Sequence, residues 1–270
     1  MYCATEPRKP CRMPNTSFFE KIINQIPGFG PKRELLAFVH IPKTAGTSLV
    51  AALKKEFPAE RVLNCTNVEI LKAKSAREIR RDYDFVHGHF GMMDIDGKAT
   101  RYATVLRDPT HRILSLYNYW RSQPLSSAVV YASGVVDPAV QLAKDLSFND
   151  FVFSDVRRIL DDIKNAQAFQ LAAGNHPEGR KKLSGMSDDA VFDLACKNLS
   201  RMQAVGTVDN MAAFEKRLNS NLNLNVSIPM HNKTKSKTVS ETDLSNGTVE
   251  RLNALNTIDM RLYEYVRNQN

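Results

Sequence analysis

Residues 35–57 read LLAFVHIPKTAGTSLVAALKKEF, and this stretch decides the fold. LLAFVHI is a continuous apolar run of the kind that a strand buried on both faces requires. PKTAGT carries the proline and glycine of a turn, and SLVAALKKEF places apolar residues at helical spacing. The order is strand, loop, helix, as at the start of an α/β unit.

Working outward, the same alternation recurs. DFVHGH (84–89) and YATVLR (102–107) read as strands, and PTHRILSLYNYW (109–120) reads as a helix opened by proline. Helices are expected over 67–81, 155–173, 187–200, 210–219 and 244–267, with a strand at 202–208. Residues 121–150 and 225–240 read as loops. The sum is a single α/β domain over 34–270, a mostly parallel sheet with helices on both faces. Residues 1–33, with four prolines before position 28 and six basic against two acidic side chains, read as an N-terminal arm.

The loop between Ile41 and Leu49 has what an anion needs. A helix N-terminus offers unpaired N–H groups at the positive end of its dipole. Gly46 lets the backbone curl, Thr44, Thr47 and Ser48 carry hydroxyls, and Lys43 adds a full charge. It is not a Walker A loop, in which the lysine directly follows the last glycine; Lys43 precedes Gly46 by three residues. In the second motif Arg107 ends a strand, Asp108 is a helix N-cap and Pro109 the first helical residue. Arg112, Ser115 and Tyr119 are spaced to share one helix face. A guanidinium at the strand end with the Ser115 hydroxyl suits a phosphate monoester.

His87 and His89 lie two apart, so on a strand they point to one face, and Gly88 between them leaves room for a close ligand. Such a pair is half of a metal site or a general base. No third ligand stands at recognisable spacing, and the proton of a hydroxyl group suits the pKa of histidine, which favours the base.

HIPKTAGTS (40–48), HGH (87–89) and RDPTHRILSLYNY (107–119) together resemble the sulfotransferases that use 3′-phosphoadenosine 5′-phosphosulfate, in the branch with heparan sulfate 2-O- and related carbohydrate sulfotransferases. The resemblance spans 35–270 and is densest over 38–120; AVGTVDNMAAFEKRL (204–218) and the basic HNKTKSK (231–237) are weaker echoes. It implies a P-loop-like sheet and that phosphosulfate as donor, without a metal. Lys43, Thr44, Ala45, Gly46, Thr47 and Ser48 would hold the 5′-phosphosulfate, and Arg107 with Ser115 the 3′-phosphate. His89 would be the base, with His87 orienting substrate or supporting it, and Lys43 would stabilise the leaving oxygen. The acceptor would be a glycan or glycolipid.

The rest of the composition fits. The chain of 270 residues has 37 Lys+Arg against 29 Asp+Glu, a net charge of +8, and is 43% hydrophobic, which excludes disordered and collagen-like classes. Residues 98–123 hold five basic side chains and one acid, and 231–238 three lysines and no acid, so part of the excess falls on the expected nucleotide site. The basic residues form no stripe with interleaved aromatics, so nucleic acid is not an expected partner. No apolar run reaches the roughly 18 residues of a membrane helix; the expectation is a cytoplasmic protein with room for peripheral membrane contact. Cys3, Cys11, Cys65 and Cys196 read as free thiols. Two other readings are a P-loop kinase, which lacks its magnesium acids here, and a non-catalytic nucleotide or polyanion binder, which would not need His89.

Overall fold

The computed structural model describes residues 34–127, 136–229 and 238–269. The N-terminal arm (1–33) and the basic loop at 231–237 lie outside them. Five strands, β1 (Leu36–Val39), β2 (Val62–Cys65), β3 (Phe85–Gly88), β4 (Arg101–Leu106) and β5 (Ala204–Thr207), form one sheet in the order β2-β3-β1-β4-β5. Every pairing is parallel. The fold is the expected α/β sheet.

Helices cover both faces. Between β1 and β2 lies α1 (Gly46–Leu53), between β2 and β3 lie α2 (Val68–Lys72) and α3 (Ala76–Asp82), and after β3 comes α4 (Met92–Ile95). A helical stretch follows β4: α5 (Pro109–Ser122), α6 (Ala139–Asp145), α7 (Phe148–Phe153), α8 (Arg157–Ile163), α9 (Ala166–Ala172), α10 (Pro177–Leu183) and α11 (Asp188–Leu199). The chain closes with α12 (Met211–Leu222), α13 (Asn246–Leu255) and α14 (Thr257–Arg267). Alternation along β1 serves two cores. Leu35, Ala37, Val39 and Ile41 pack with residues of α9, α11 and α14, whereas Leu36 and Phe38 pack with α1 and α12. Each of the larger ones, Leu35, Leu36, Phe38, Val39 and Ile41, stabilises by about 1.5–3 kcal/mol once fully buried. A third cluster joins α5 to α7, α8 and α13 through Tyr117, Phe151, Ile159 and Leu252.

The topology sets the site. The chain leaves β1 towards the β2 edge and leaves β4 towards β5, so the connections diverge between two neighbouring strands. That divergence opens a crevice at their carboxyl ends, where ligands bind in open α/β sheets.

Several elements depart from expectation. β2 was not expected: its VLNC carries Asn64 and so shows no apolar run. The helix expected over 67–81 is two, because Ser75 caps α3 in a reciprocal capping box with Glu78. The helices expected over 155–173 and 244–267 also divide, at Asn165 and Asn256. Asn165 takes a left-handed φ of 46° and donates its backbone N–H to Asn256 Oδ1 at 3.3 Å, while its own Oδ1 accepts from the backbone N of Ile258 at 3.0 Å. Each break thus meets the polar groups that the other leaves open. Residues 121–150, expected as loop, carry α6 and the start of α7; 128–135 lie outside the described residues.

Gly88 also corrects an expectation. A Cβ there would overlap the carbonyl of Cys65 on β2, so the missing side chain serves strand packing and leaves no room for a ligand. Gly88→Ala is expected to cost about 1–3 kcal/mol, read as a lower urea midpoint; an unchanged midpoint would contradict the packing.

Candidate active site

The loop from β1 to α1 is unusual in its backbone. Lys43 and Ala45 both adopt positive φ, 71° and 63°, a region that costs a residue with a side chain about 1–3 kcal/mol and that clusters at functional sites. Thr44 between them is fully buried, and its Oγ1 donates to the carbonyl of Ile41 at 2.8 Å. That hydroxyl is therefore engaged inside the turn, and what Thr44 offers an anion is its backbone N–H. Ala45, at the N-cap, supplies no side-chain cap, and the first turn of α1 holds no acid. The helix start is thereby left attractive to negative charge. Gly46 is required: a Cβ there would fall inside the His40 ring.

Arg107 follows β4, next to β1 in the sheet, and its Nη1 donates to the carbonyl of Lys43 at 3.2 Å. The two cations predicted from separate motifs thus meet across the crevice. The Lys43 ammonium rests 3.9 Å from the centroid of the Tyr119 ring, a cation–π contact. Burial, and then the Arg107 charge, push the lysine down to about 8; burial likewise lowers Arg107. Ser115 lies half-buried on α5, four residues before Tyr119 and on the same helix face. Arg112 does not join them. It is buried in the interior, where its Nη2 donates to the carbonyl of Asp162 at 2.6 Å.

The histidines occupy the neighbouring strand ends. β3 pairs with β1 in the register Val39↔Gly88, which sets His40 beside His89, and their ring centroids are 4.8 Å apart at 63°. His87 lies one pleat back, 5% exposed and packed against Phe85 with centroids 5.4 Å apart. Its Nε2 has no hydrogen-bond partner among the described residues. Of the two duties expected of His87, a ring so buried fits support and not substrate contact. Burial lowers all three: His40 to about 3, helped by His89, His87 and Lys43; His87 to about 4, helped by Lys54 and His89; and His89 against an opposing pull from Asp162. All are neutral at pH 7. Among the described residues no cluster of three or more His, Cys, Asp or Glu side chains could hold a metal ion.

Two residues at the site received no role from the sequence. His40 could have been found by parity, since it follows Leu36 and Phe38 on the α1 face of β1. Tyr119 was placed on the right face, but its contact with Lys43 depends on how α5 docks.

The neutral histidines make a stability prediction. Once the chain unfolds they regain the ordinary value of 6.5, so below that pH the unfolded state binds protons that the folded state does not. Stability is therefore lost as pH falls from 6.5 towards 5, with a limiting slope of about 1.4 kcal/mol per pH unit for each such histidine. Denaturant titrations across that window should show the loss, with a shallower slope in His87→Gln; equal slopes for the two proteins would contradict burial of a neutral His87.

Residues 31–266 match the model of the sulfotransferase family. Heparan-sulfate 6-O-sulfotransferase 2 of Gallus gallus is 24% identical over 176 residues, an alignment that covers 62% of this chain and 43% of that protein. The chain thus spans less than half of that relative's length. A match from Pro31 to Val266, taking in both cationic loops and all five strands, shows that the chain belongs to the sulfotransferase family.

Proposed function

We propose that this sulfotransferase moves a sulfuryl group from 3′-phosphoadenosine 5′-phosphosulfate to a hydroxyl of a carbohydrate or glycolipid acceptor. The observation that carries the reading is the meeting of Lys43 and Arg107, through the 3.2 Å bond from Arg107 to the Lys43 carbonyl, at the uncapped start of α1. A donor with phosphate on two sides of its ribose matches two cationic anchors on adjacent strand ends; a triphosphate would be held by one loop and a magnesium ion. The heparan-sulfate enzyme among its relatives supports a carbohydrate acceptor.

In this reading the backbone N–H groups from Thr44 to Ser48, with Lys43, hold the 5′ end, and Arg107 with Ser115 holds the 3′-phosphate. His89, neutral at working pH, accepts the proton of the acceptor hydroxyl as that oxygen forms its bond to sulfur. The bond from sulfur to the 5′-phosphate oxygen breaks, and its electron pair leaves on adenosine 3′,5′-bisphosphate. Lys43 and the N–H groups of α1 stabilise the charge that grows there. His87 and His40 back the base from the sheet side.

Adenosine 3′,5′-bisphosphate should raise the thermal unfolding midpoint more than ATP with magnesium does; the reverse order would overturn the donor assignment. His89→Ala should lower turnover about 10²–10⁴-fold and leave binding of the bisphosphate intact, and near-normal turnover would remove His89 as base. Since Lys43 holds its charge only below about 8, affinity for the bisphosphate should be full at pH 7 and fall as pH rises through 8. A flat profile to pH 9.5 would contradict the lysine's part.

A further inference from the structure

We propose that Gln167 and Gln170, one turn apart on α9, are positioning residues that hold the ends of β1, β3 and β4 in place for the reaction. Gln167 and Gln170 are 0% and 1% exposed, and both amides face the sheet. Gln167 Oε1 accepts from the backbone N of Arg107 at 3.0 Å, and its Nε2 donates to the carbonyl of the same residue at 2.9 Å. Gln170 Nε2 donates to the carbonyl of His40 at 3.0 Å and to that of Phe90 at 3.1 Å. The two side chains thus touch the backbone of the expected 3′-phosphate anchor, of the residue under the phosphate loop, and of the residue after the expected base.

The reason lies in the topology. The ladder between β1 and β3 ends at Val39↔Gly88, and that between β1 and β4 at Phe38↔Ala103. Past these rungs β1 parts from its two neighbours to open the crevice; β4 stays paired with β5 as far as Leu106↔Thr207 and Thr104 Oγ1 donates to the Val39 carbonyl, so the backbone groups of Arg107, His40 and Phe90 that face the opening need partners from elsewhere. Gln167 satisfies Arg107 as a neighbouring strand would, and Gln170 ties the two ends that flank the histidine pair. α9 is anchored in turn: Asp259, fully buried on α14, accepts from the backbone N of Gln167 at 3.2 Å and of Ala168 at 2.7 Å. A helix so held can fix distances between strand ends that no longer pair with each other.

The inference rests on the donor and base assignments above, and it predicts a division of labour that a purely structural pair would not show. The test uses the full chain with the near-isosteric Gln167→Met and Gln170→Met, checked for cooperative unfolding. Gln167→Met should weaken binding of adenosine 3′,5′-bisphosphate roughly tenfold to a hundredfold while turnover at saturating donor changes less. Gln170→Met should do the opposite, lowering turnover roughly tenfold to a hundredfold with bisphosphate affinity within about threefold of wild type. Equal losses in both parameters, or none in either, would overturn the proposal. If Gln167→Met fails to fold, Gln167→Leu, also uncharged, removes the same two bonds and carries the same comparison. Hydrogen exchange at the Arg107 amide needs no ligand. It should be slow in wild type and faster in Gln167→Met; unchanged exchange would overturn the clamp. Faster exchange in a chain whose wild type does not bind the bisphosphate would sustain the clamp and overturn the donor reading instead.

Discussion

The seating of the His40 ring against the backbone of Gly46 is the contact on which the site depends. It brings the first residue of α1 directly over the residue that follows β1, closer than any side chain at position 46 would permit. The loop between them must then turn in very few residues, and it does so with Lys43 and Ala45 in the left-handed region and the Thr44 hydroxyl turned inward. Two strained residues are tolerated because buried neighbours fix the loop at both ends. What results is a helix start with its N–H groups presented at the carboxyl edge of the sheet and a lysine projecting beside them.

The same contact sets the electrostatics. His40 under the loop lies edge-on to His89, so the loop from β1 to α1 and the expected base are joined through one neutral ring pair. Lys43 and Arg107 are brought together on the other side, each disfavoured by burial and the lysine also by its partner's charge. A polyanion bound at this corner would relieve the repulsion between the two cations, which the Asp209 and Asp108 carboxylates offset only at Arg107. Tyr119 shares this arrangement, since its ring gives the lysine ammonium a partner that does not neutralise it. Of the five basic side chains over 98–123, Arg107 alone stands at this corner: Lys98 donates to the carbonyl of Leu71, Arg101 to that of Leu222, Arg112 to that of Asp162, and Arg121 to those of Ala143 and Lys144.

Much of this was legible in the sequence. The apolar runs at 35–41 and 102–107 identify two central strands, because strands buried on both faces need apolar residues, and the shorter DFVHGH (84–89) marks a third. The two cationic motifs stand out because glycine, proline and an N-cap aspartate mark where loops become helices. What was not legible depends on contacts distant in sequence. Asn165 and Asn256 break two expected helices by serving each other across ninety-one positions, and nothing local signals either break, whereas the Ser75–Glu78 box was a local signal left unread. Gly88 shows the converse error: a glycine between two histidines suggested space for a ligand, yet its neighbour is the edge strand β2, whose VLNC forms no apolar run. His87 and Arg112 carry chemistry-bearing side chains that the fold turns inward, and only packing reveals it.

The central claim is that Arg107 and Lys43 grip opposite ends of one bisphosphate nucleotide. The most direct measurement compares adenosine 3′,5′-bisphosphate with 5′-AMP by calorimetric titration, in wild type and in Arg107→Ala. If Arg107 holds the 3′-phosphate, wild type binds the bisphosphate more tightly by tenfold or more, on the order of a charged hydrogen-bonded contact, and that preference disappears in Arg107→Ala while 5′-AMP affinity is little changed. An equal preference in both proteins would contradict the account.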